Sequence, residues 1–226
     1  ELIAKLLGEA PTDPVDALVH RLEPLVGCTI TQVADQLGIA PGMSKNRVSA
    51  VLRQAIGLRA KRLPEHLEAL GLEIKTIPLG ANAQPYEAMS FPAFDPRELA
   101  GEEWEDCDLL ASIQNMLLVP VYRDERRSDL MEQRVCKPFR WSPDREQLSG
   151  IRAEWERFRD LFSAGKGDAL PTEAATRFIH VRPHGRDGAD RVEAPGALVV
   201  PKQSFWLNRE FVRELVLSHN SDWQGF

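Results

Sequence analysis

The chain predicts an α/β fold: a mixed central sheet flanked by helices, with a helical arm at its N-terminal end. Three patterns carry this. Helical periodicity dominates as far as Gly57, short strand-length apolar segments fill the middle, and a long amphipathic helix follows them. No internal repeat or low-complexity segment interrupts the order.

Residues 13–25 place Val15, Leu18, Val19, Leu22 and Leu25 at helical spacing, with Thr12 or Asp13 as the cap. Thr29 opens a second helix over 30–37, which Gly38 ends. A third starts at Ser44 or Asn46 and runs to Ile56, with Val48, Val51, Leu52 and Ala55 on one face and Gly57 as its stop. The stretch before Gly71 reads as a loop. Residues 70–79 read as a strand, with Leu72, Ile74 and Thr76 on one side and Glu73, Lys75 and Ile77 on the other. Residues 80–84 predict a turn and 86–94 a second strand. The next strand spans 109–122, around the buried run Met116-Leu117-Leu118-Val119-Pro120-Val121. A charged turn at 123–127 and a further strand within 132–141 come next. Residues 144–162 form the clearest helix, with Leu148, Ile151, Trp155, Phe158 and Phe162 recurring at three and four. A strand at 178–183, a polar Gly-containing loop at 186–197, a short strand at 197–201 and a final helix at 208–218 complete the order.

The 226 residues fit one large domain or two lobes sharing a cleft, and 43% apolar content is ordinary for a soluble chain. We expect one domain with two lobes, residues 1–62 as a mainly helical arm and 63–226 as core and C-terminal arm. No 18-residue apolar run is present, so no membrane span is expected. No basic region followed by an apolar one suggests secretion, so a cytoplasmic, nucleoid-associated protein is expected. Cys28, Cys107 and Cys136 are far apart and odd in number, which predicts free thiols rather than a disulfide framework. The net charge of −6 argues against general nucleic-acid affinity but leaves room for a local basic cleft. Six of the cations fall between Lys45 and Arg62, and Arg182, Arg186 and Arg191 group with His184. Acidic residues gather at Glu98, Glu102, Glu103, Glu105, Asp106 and Asp108.

Glu73 and Lys75 carry the chemistry. Two apart on a strand, a carboxylate and an ammonium project together, able to hold Mg²⁺, orient water and offset charge on phosphorus. Such a site takes a further carboxylate. Glu65 stands at a suitable distance upstream, Glu87 and Asp95 follow, and His66 suits Mn²⁺ better than Mg²⁺.

Leu70-Gly71-Leu72-Glu73-Ile74-Lys75-Thr76-Ile77-Pro78 resembles the core of the MutH family, the strand-nicking endonucleases of methyl-directed DNA mismatch repair. More distantly it is similar to Sau3AI-type restriction endonucleases. The resemblance continues through Gln84-Pro85-Tyr86-Glu87, Leu118-Val119-Pro120-Val121, Gln133-Arg134-Val135, Trp141-Ser142-Pro143, Trp155, Val181-Arg182-Pro183 and Phe205-Trp206-Leu207 with Phe211. It implies a restriction-endonuclease-like, PD-(D/E)xK core whose two arms form a DNA cleft. It also implies Mg²⁺ (Mn²⁺ possible) as cofactor and cleavage 5′ of the guanine in GATC with methylation sensitivity. The implied partners are double-stranded DNA and a MutL-like protein or the remainder of a larger restriction enzyme.

By the same resemblance Glu73 and Lys75 take the metal-binding carboxylate and the catalytic lysine. The other metal ligand is Glu65 or His66. Arg182 falls on a DNA-contacting arginine, and Trp206 where the family has a tyrosine that senses adenine methylation. Arg186, Arg191, Lys45 and Arg47 are further DNA-binding candidates. The chain departs from the pattern at His66, in place of an aspartate, at Gln54, in place of a glutamate, and at Gln114 and His184, each in place of a lysine. The alternative function implied is a catalytically impaired DNA-binding or regulatory domain.

Overall fold

The computed structural model describes residues 13–40, 42, 44, 46–58, 62–123, 129–187 and 189–220. The fold is mixed α/β, a central mixed sheet flanked by helices, consistent with a restriction-endonuclease-like core. The chain divides into two compact units drawn from interleaved stretches. One comprises Glu1–Ala83, Asn115–Trp141 and Leu217–Phe226, the other Gln84–Gln114 and Ser142–Val216.

The first unit opens with helix α1, Pro14–Leu22. Asp13 caps it, its Oδ1 accepting from the amides of Val15 at 2.8 Å and Asp16 at 3.2 Å, and Pro14 occupies the first turn, where no N–H is needed. Those amide bonds hold the Asp13 carboxyl below its usual range. Residues 23–25 continue as a 3₁₀ turn, because Pro24 cannot donate within an α-helix. Helix α2, Ile30–Leu37, begins with a reciprocal Thr29–Gln32 capping box and ends at Gly38 with φ of 64°. Helix α3, Arg47–Ala55, starts at Asn46. Val15, Leu22, Ile30, Val33 and Val51, all fully buried, form a core against Leu117 and Val121 of the sheet.

A one-turn helix, α4 (Glu65–Glu68), stands where the sequence reads as a loop; Leu67 is buried and ties it to the core. Strand β1, Glu73–Leu79, then runs parallel to β3, Met116–Tyr122, with Glu73 opposite Met116 and Lys75 opposite Leu118. β3 is the buried centre. Its other side is shared by two short antiparallel strands, β5 (Phe139–Trp141) at residues 116–118 and β4 (Arg134–Val135) at residues 121–122. The break between them falls at Pro120, which has no N–H to offer a ladder; its carbonyl accepts from Cys136.

In the second unit, β2 (Met89–Phe94), β6 (Ile179–Pro183) and β9 (Gln203–Leu207) form an antiparallel sheet in the order β2-β9-β6. The register of β2 shifts between Ser90 and Ala93, around Pro92. Two short helices, α5 (Pro96–Leu99) and α6 (Asp108–Ile113), follow β2. The 109–122 segment is thus a helix and then a strand, since Leu109 and Ile113 at a spacing of four bury one helical face before the continuous apolar run begins. Helix α7, Arg145–Ser163, carries an Asp144–Gln147 capping box and packs Phe158 and Phe162 against Phe205 and Phe94 of the sheet. Part of the expected 186–197 loop is ordered as strand β7, Arg191–Ala194, paired with β8, Leu198–Pro201, through Gly196 at φ of 78°. Helix α8, Arg209–His219, closes the described chain.

Candidate functional site

In the first unit, β1 is an edge strand that sets Glu73 and Lys75 on one face at its beginning. Lys75 Nζ lies 2.9 Å from Glu73 Oε1, so strand spacing alone makes the pair. The Lys75 and Glu73 side chains are 22% and 39% exposed, so neither is buried. An open carboxylate can exchange the ammonium for a hydrated ion at small desolvation cost.

Glu65 and His66 lie upstream on α4, and both are exposed. Among the described residues no three His, Cys, Asp or Glu side chains gather to hold a metal ion, so Glu65, His66 and Glu73 do not form a closed cage. Mg²⁺ keeps several waters and takes one or two carboxylates, so Glu73 and a second oxygen ligand suit it without a cage. By donor chemistry Glu65 suits that role for Mg²⁺, and His66 suits Mn²⁺ better than Mg²⁺.

The carbonyl of Asn115 accepts the Glu73 amide at 3.0 Å. Asn115 is 6% exposed; its Nδ2 donates to the Leu70 carbonyl at 3.1 Å, and its Oδ1 accepts from Arg140 Nε at 2.9 Å. Sequence reasoning passed over Asn115 and Arg140, because their partners lie 45 and 25 residues away along the chain. Gln54 is exposed at the end of α3, and Gln114 is exposed after α6. Arg47 Nη2 reaches Asp129 at 3.4 Å. Lys45 lies outside the described residues.

In the second unit, three expected DNA-contacting residues come together. The Arg182 guanidinium sits 5.0 Å above the Trp206 ring, and His184 meets its edge at 5.3 Å. The register pairs Arg182 with Ser204 and His180 with Trp206, so these four share one sheet face. Trp206 is therefore only half-buried and carries a cation on its ring, unlike a core tryptophan.

Beyond β6 the His184 amide donates to the Lys202 carbonyl at 2.7 Å. Asp190 Oδ2 accepts from the Arg186 amide at 3.0 Å, which folds the loop. The Arg186 side chain is 91% exposed, with Asp187 at 3.4 Å. Arg191 does not join the Trp206 group; its guanidinium donates across the hairpin to the Val199 carbonyl.

His180, also unanticipated, is a buried member of this face. Asn208 Nδ2 donates to the Thr176 carbonyl at 2.9 Å, so Asn208 Oδ1 accepts from His180 Nδ1 at 2.5 Å. Nδ1 therefore carries a proton, and Nε2 has no partner among the described residues. Burial pushes the His180 pKa down, against the Asn208 hydrogen bond and the charge of Glu173.

Residues 59–154 match the family model described as DNA mismatch repair enzyme MutH, a span that includes Glu65, His66, Glu73, Lys75 and Gln114. Similarity to curated relatives extends further. The DNA mismatch repair protein MutH of Vibrio parahaemolyticus serotype O3:K6 is 28% identical over 211 residues, covering 89% of this chain and 92% of that protein. The proteins of the same name from Serratia proteamaculans (strain 568) and Escherichia coli (strain K12) are 27% and 26% identical, covering 92% and 93% of this chain and 95% of each relative.

Proposed function

We propose that the chain, similar to MutH DNA mismatch-repair proteins over most of its length, is a divalent-metal-dependent, sequence-specific DNA endonuclease. The observation that carries this reading is the Glu73–Lys75 pair, 2.9 Å apart and open to solvent on an edge strand, inside the stretch that the family model matches. Glu73 and Glu65 would hold Mg²⁺, or Mn²⁺ in its place, and the bound ion would supply positive charge against the scissile phosphate and acidify water. Lys75 orients the attacking water and offsets the negative charge that grows on phosphorus. Arg182 and Arg186 meet backbone phosphates. Trp206, flanked by His184, presents an aromatic surface to a thymine or methyladenine methyl, which makes the recognition GATC-like and methylation-sensitive. With His184 where the family has a lysine, the base preference differs from strict GATC. A MutL-like protein, or the remainder of a larger enzyme, is the partner, and the cytoplasmic nucleoid is the compartment.

A second reading is favoured by the neutral Gln54 and Gln114 and by His66 in place of a carboxylate: duplex binding with little cutting, as the regulatory part of a larger assembly. One experiment separates the two. Supercoiled plasmid and duplexes carrying zero, one or two methylated strands are incubated with Mg²⁺ or Mn²⁺. The first reading requires cleavage that Lys75→Ala lowers by at least about a hundredfold. Salt-dependent retention of duplex without cleavage of any substrate leaves the second reading standing. Absence of both binding and cleavage at low salt sinks both.

A further inference from the structure

We infer that Asn115, held by Arg140, is the positioning residue for the Glu73 carboxylate, fixing it relative to the helical turn that carries Glu65. The inference rests on reading Glu73 as a metal ligand.

The connection from α4 to β1 is short and pivots on Gly71, at φ of 60°. Leu67 and Leu72 are buried on either side of the pivot, but Leu70 is 44% exposed. Asn115 bridges this connection with two bonds, from its Nδ2 to the Leu70 carbonyl at 3.1 Å and from the Glu73 amide to its own carbonyl at 3.0 Å. A swing about Gly71 that moves the 65–68 turn away from Glu73 must break one of them.

The amide is in turn immobilised. Its Oδ1 accepts from Arg140 Nε at 2.9 Å, and Arg140 Nη1 donates to Asp13 Oδ2 at 3.0 Å, with Asp16 Oδ1 3.8 Å away. Asp13 also caps α1, so the chain of bonds ends on a rigid helix start. Arg140 pairs with Leu117 in the sheet, on the face opposite Glu73 and Lys75. It therefore supports the carboxylate through Asn115 and the backbone and does not touch the metal site. Only an amide suits position 115, because it gives one donor to a carbonyl and one acceptor to a guanidinium. Aspartate lacks the donor and leucine lacks both.

The test is Mn²⁺ binding to the DNA-free full chain, by calorimetry or electron paramagnetic resonance, alongside hydrogen exchange at the Glu73 amide. The proteins are wild type, Glu73→Gln, Asn115→Leu, Asn115→Asp and Arg140→Gln. Wild type binds Mn²⁺ and Glu73→Gln does not. The two Asn115 variants bind about ten- to a hundredfold more weakly, as expected when the support behind a metal ligand is removed. Exchange at Glu73 quickens while exchange in β4 is unchanged. If Asn115→Leu does not fold, Arg140→Gln decides, since it loosens Asn115 without touching Leu70 or Glu73. Mn²⁺ affinity and Glu73 exchange at wild-type values in the variants overturn the positioning role. Wild type that binds no Mn²⁺, or a Glu73→Gln variant that binds it equally well, overturns instead the metal reading of Glu73 on which the inference stands.

Discussion

Glu154, on the middle of α7, offers the sharpest test of how the second unit holds β6. Its Oε1 accepts from the Arg177 amide at 2.6 Å, and its Oε2 from the amides of Phe178 and Ile179 at 3.0 and 2.8 Å. One carboxylate thus aligns the beginning of the strand that delivers Arg182 and His184. A hydrogen bond to a charged acceptor contributes about 1.5–3 kcal/mol when sheltered. Arg177 is exposed and its amide rehydrates readily, so its bond counts for little. The two part-buried bonds, taken at the low end, give a cost of about 3 kcal/mol for Glu154→Ala. Glu154→Gln keeps one carbonyl oxygen and loses about half of that. For a chain of this size the Ala variant should melt about 6–12 °C lower, and the Gln variant about half as far. Calorimetry reads this directly, and hydrogen exchange at Phe178 and Ile179 shows whether the loss is local. An Ala variant melting within about 2 °C of wild type, or equal damage from Gln and Ala, refutes the reasoning.

Four further outcomes are expected. Gly150→Ala destabilises despite the helix-propensity gain of about 1 kcal/mol: the new Cβ stands 2.2 Å from Phe178 Cε2, and Phe211, edge-on at 4.9 Å, keeps that ring from retreating. Overpacking of this kind costs about 1–3 kcal/mol, so a raised melting temperature would contradict it. His180 makes stability acid-sensitive. Its folded pKa is depressed, so below pH 6.5 the unfolded chain binds the proton and the native ring does not. The stability present above pH 6.5 is lost as the pH falls toward the folded value, and urea titrations at pH 7.5 and 5.5 should show a smaller pH dependence in His180→Gln. An unchanged slope rejects this. Arg182→Ala should weaken duplex binding and lower the salt-dependence slope by about one ion, whereas Trp206→Ala should change the preference among methylation states more than the slope. Equal salt slopes for wild type and Arg182→Ala speak against a phosphate contact.

Much of the fold is legible where a local rule decides it. The caps at Asp13, Thr29–Gln32 and Asp144–Gln147 and the stop at Gly38 mark helices because the bonds that start or end them lie within three or four residues. The buried run at 116–121 stands out because a central strand is apolar on both faces. Strand β9 is not visible as a strand, since Gln203 and Ser204 open it with polar side chains; pairing with β2 and β6 on both edges makes it one. Strand β7 has the composition of a loop and is ordered by β8. Helix α4 is four residues long and is held by Leu67 rather than by its own propensity.

The same division runs through the candidate site. Glu73 and Lys75 share a face because strand geometry repeats every two residues, so the sequence alone determines that pair and, through its flanking motif, the similarity to MutH. Tertiary structure decides how far the pair is exposed. It also brings Arg182, His184 and Trp206 into one group and sends Arg191 across a hairpin to Val199. The buried polar contacts of Asn115 with Leu70 and Arg140, and of His180 with Asn208, join residues 25 to 45 positions apart. No local periodicity encodes such partners. They exist because folding removes those groups from water and leaves each hydrogen-bonding atom only the partners that the packed chain sets beside it.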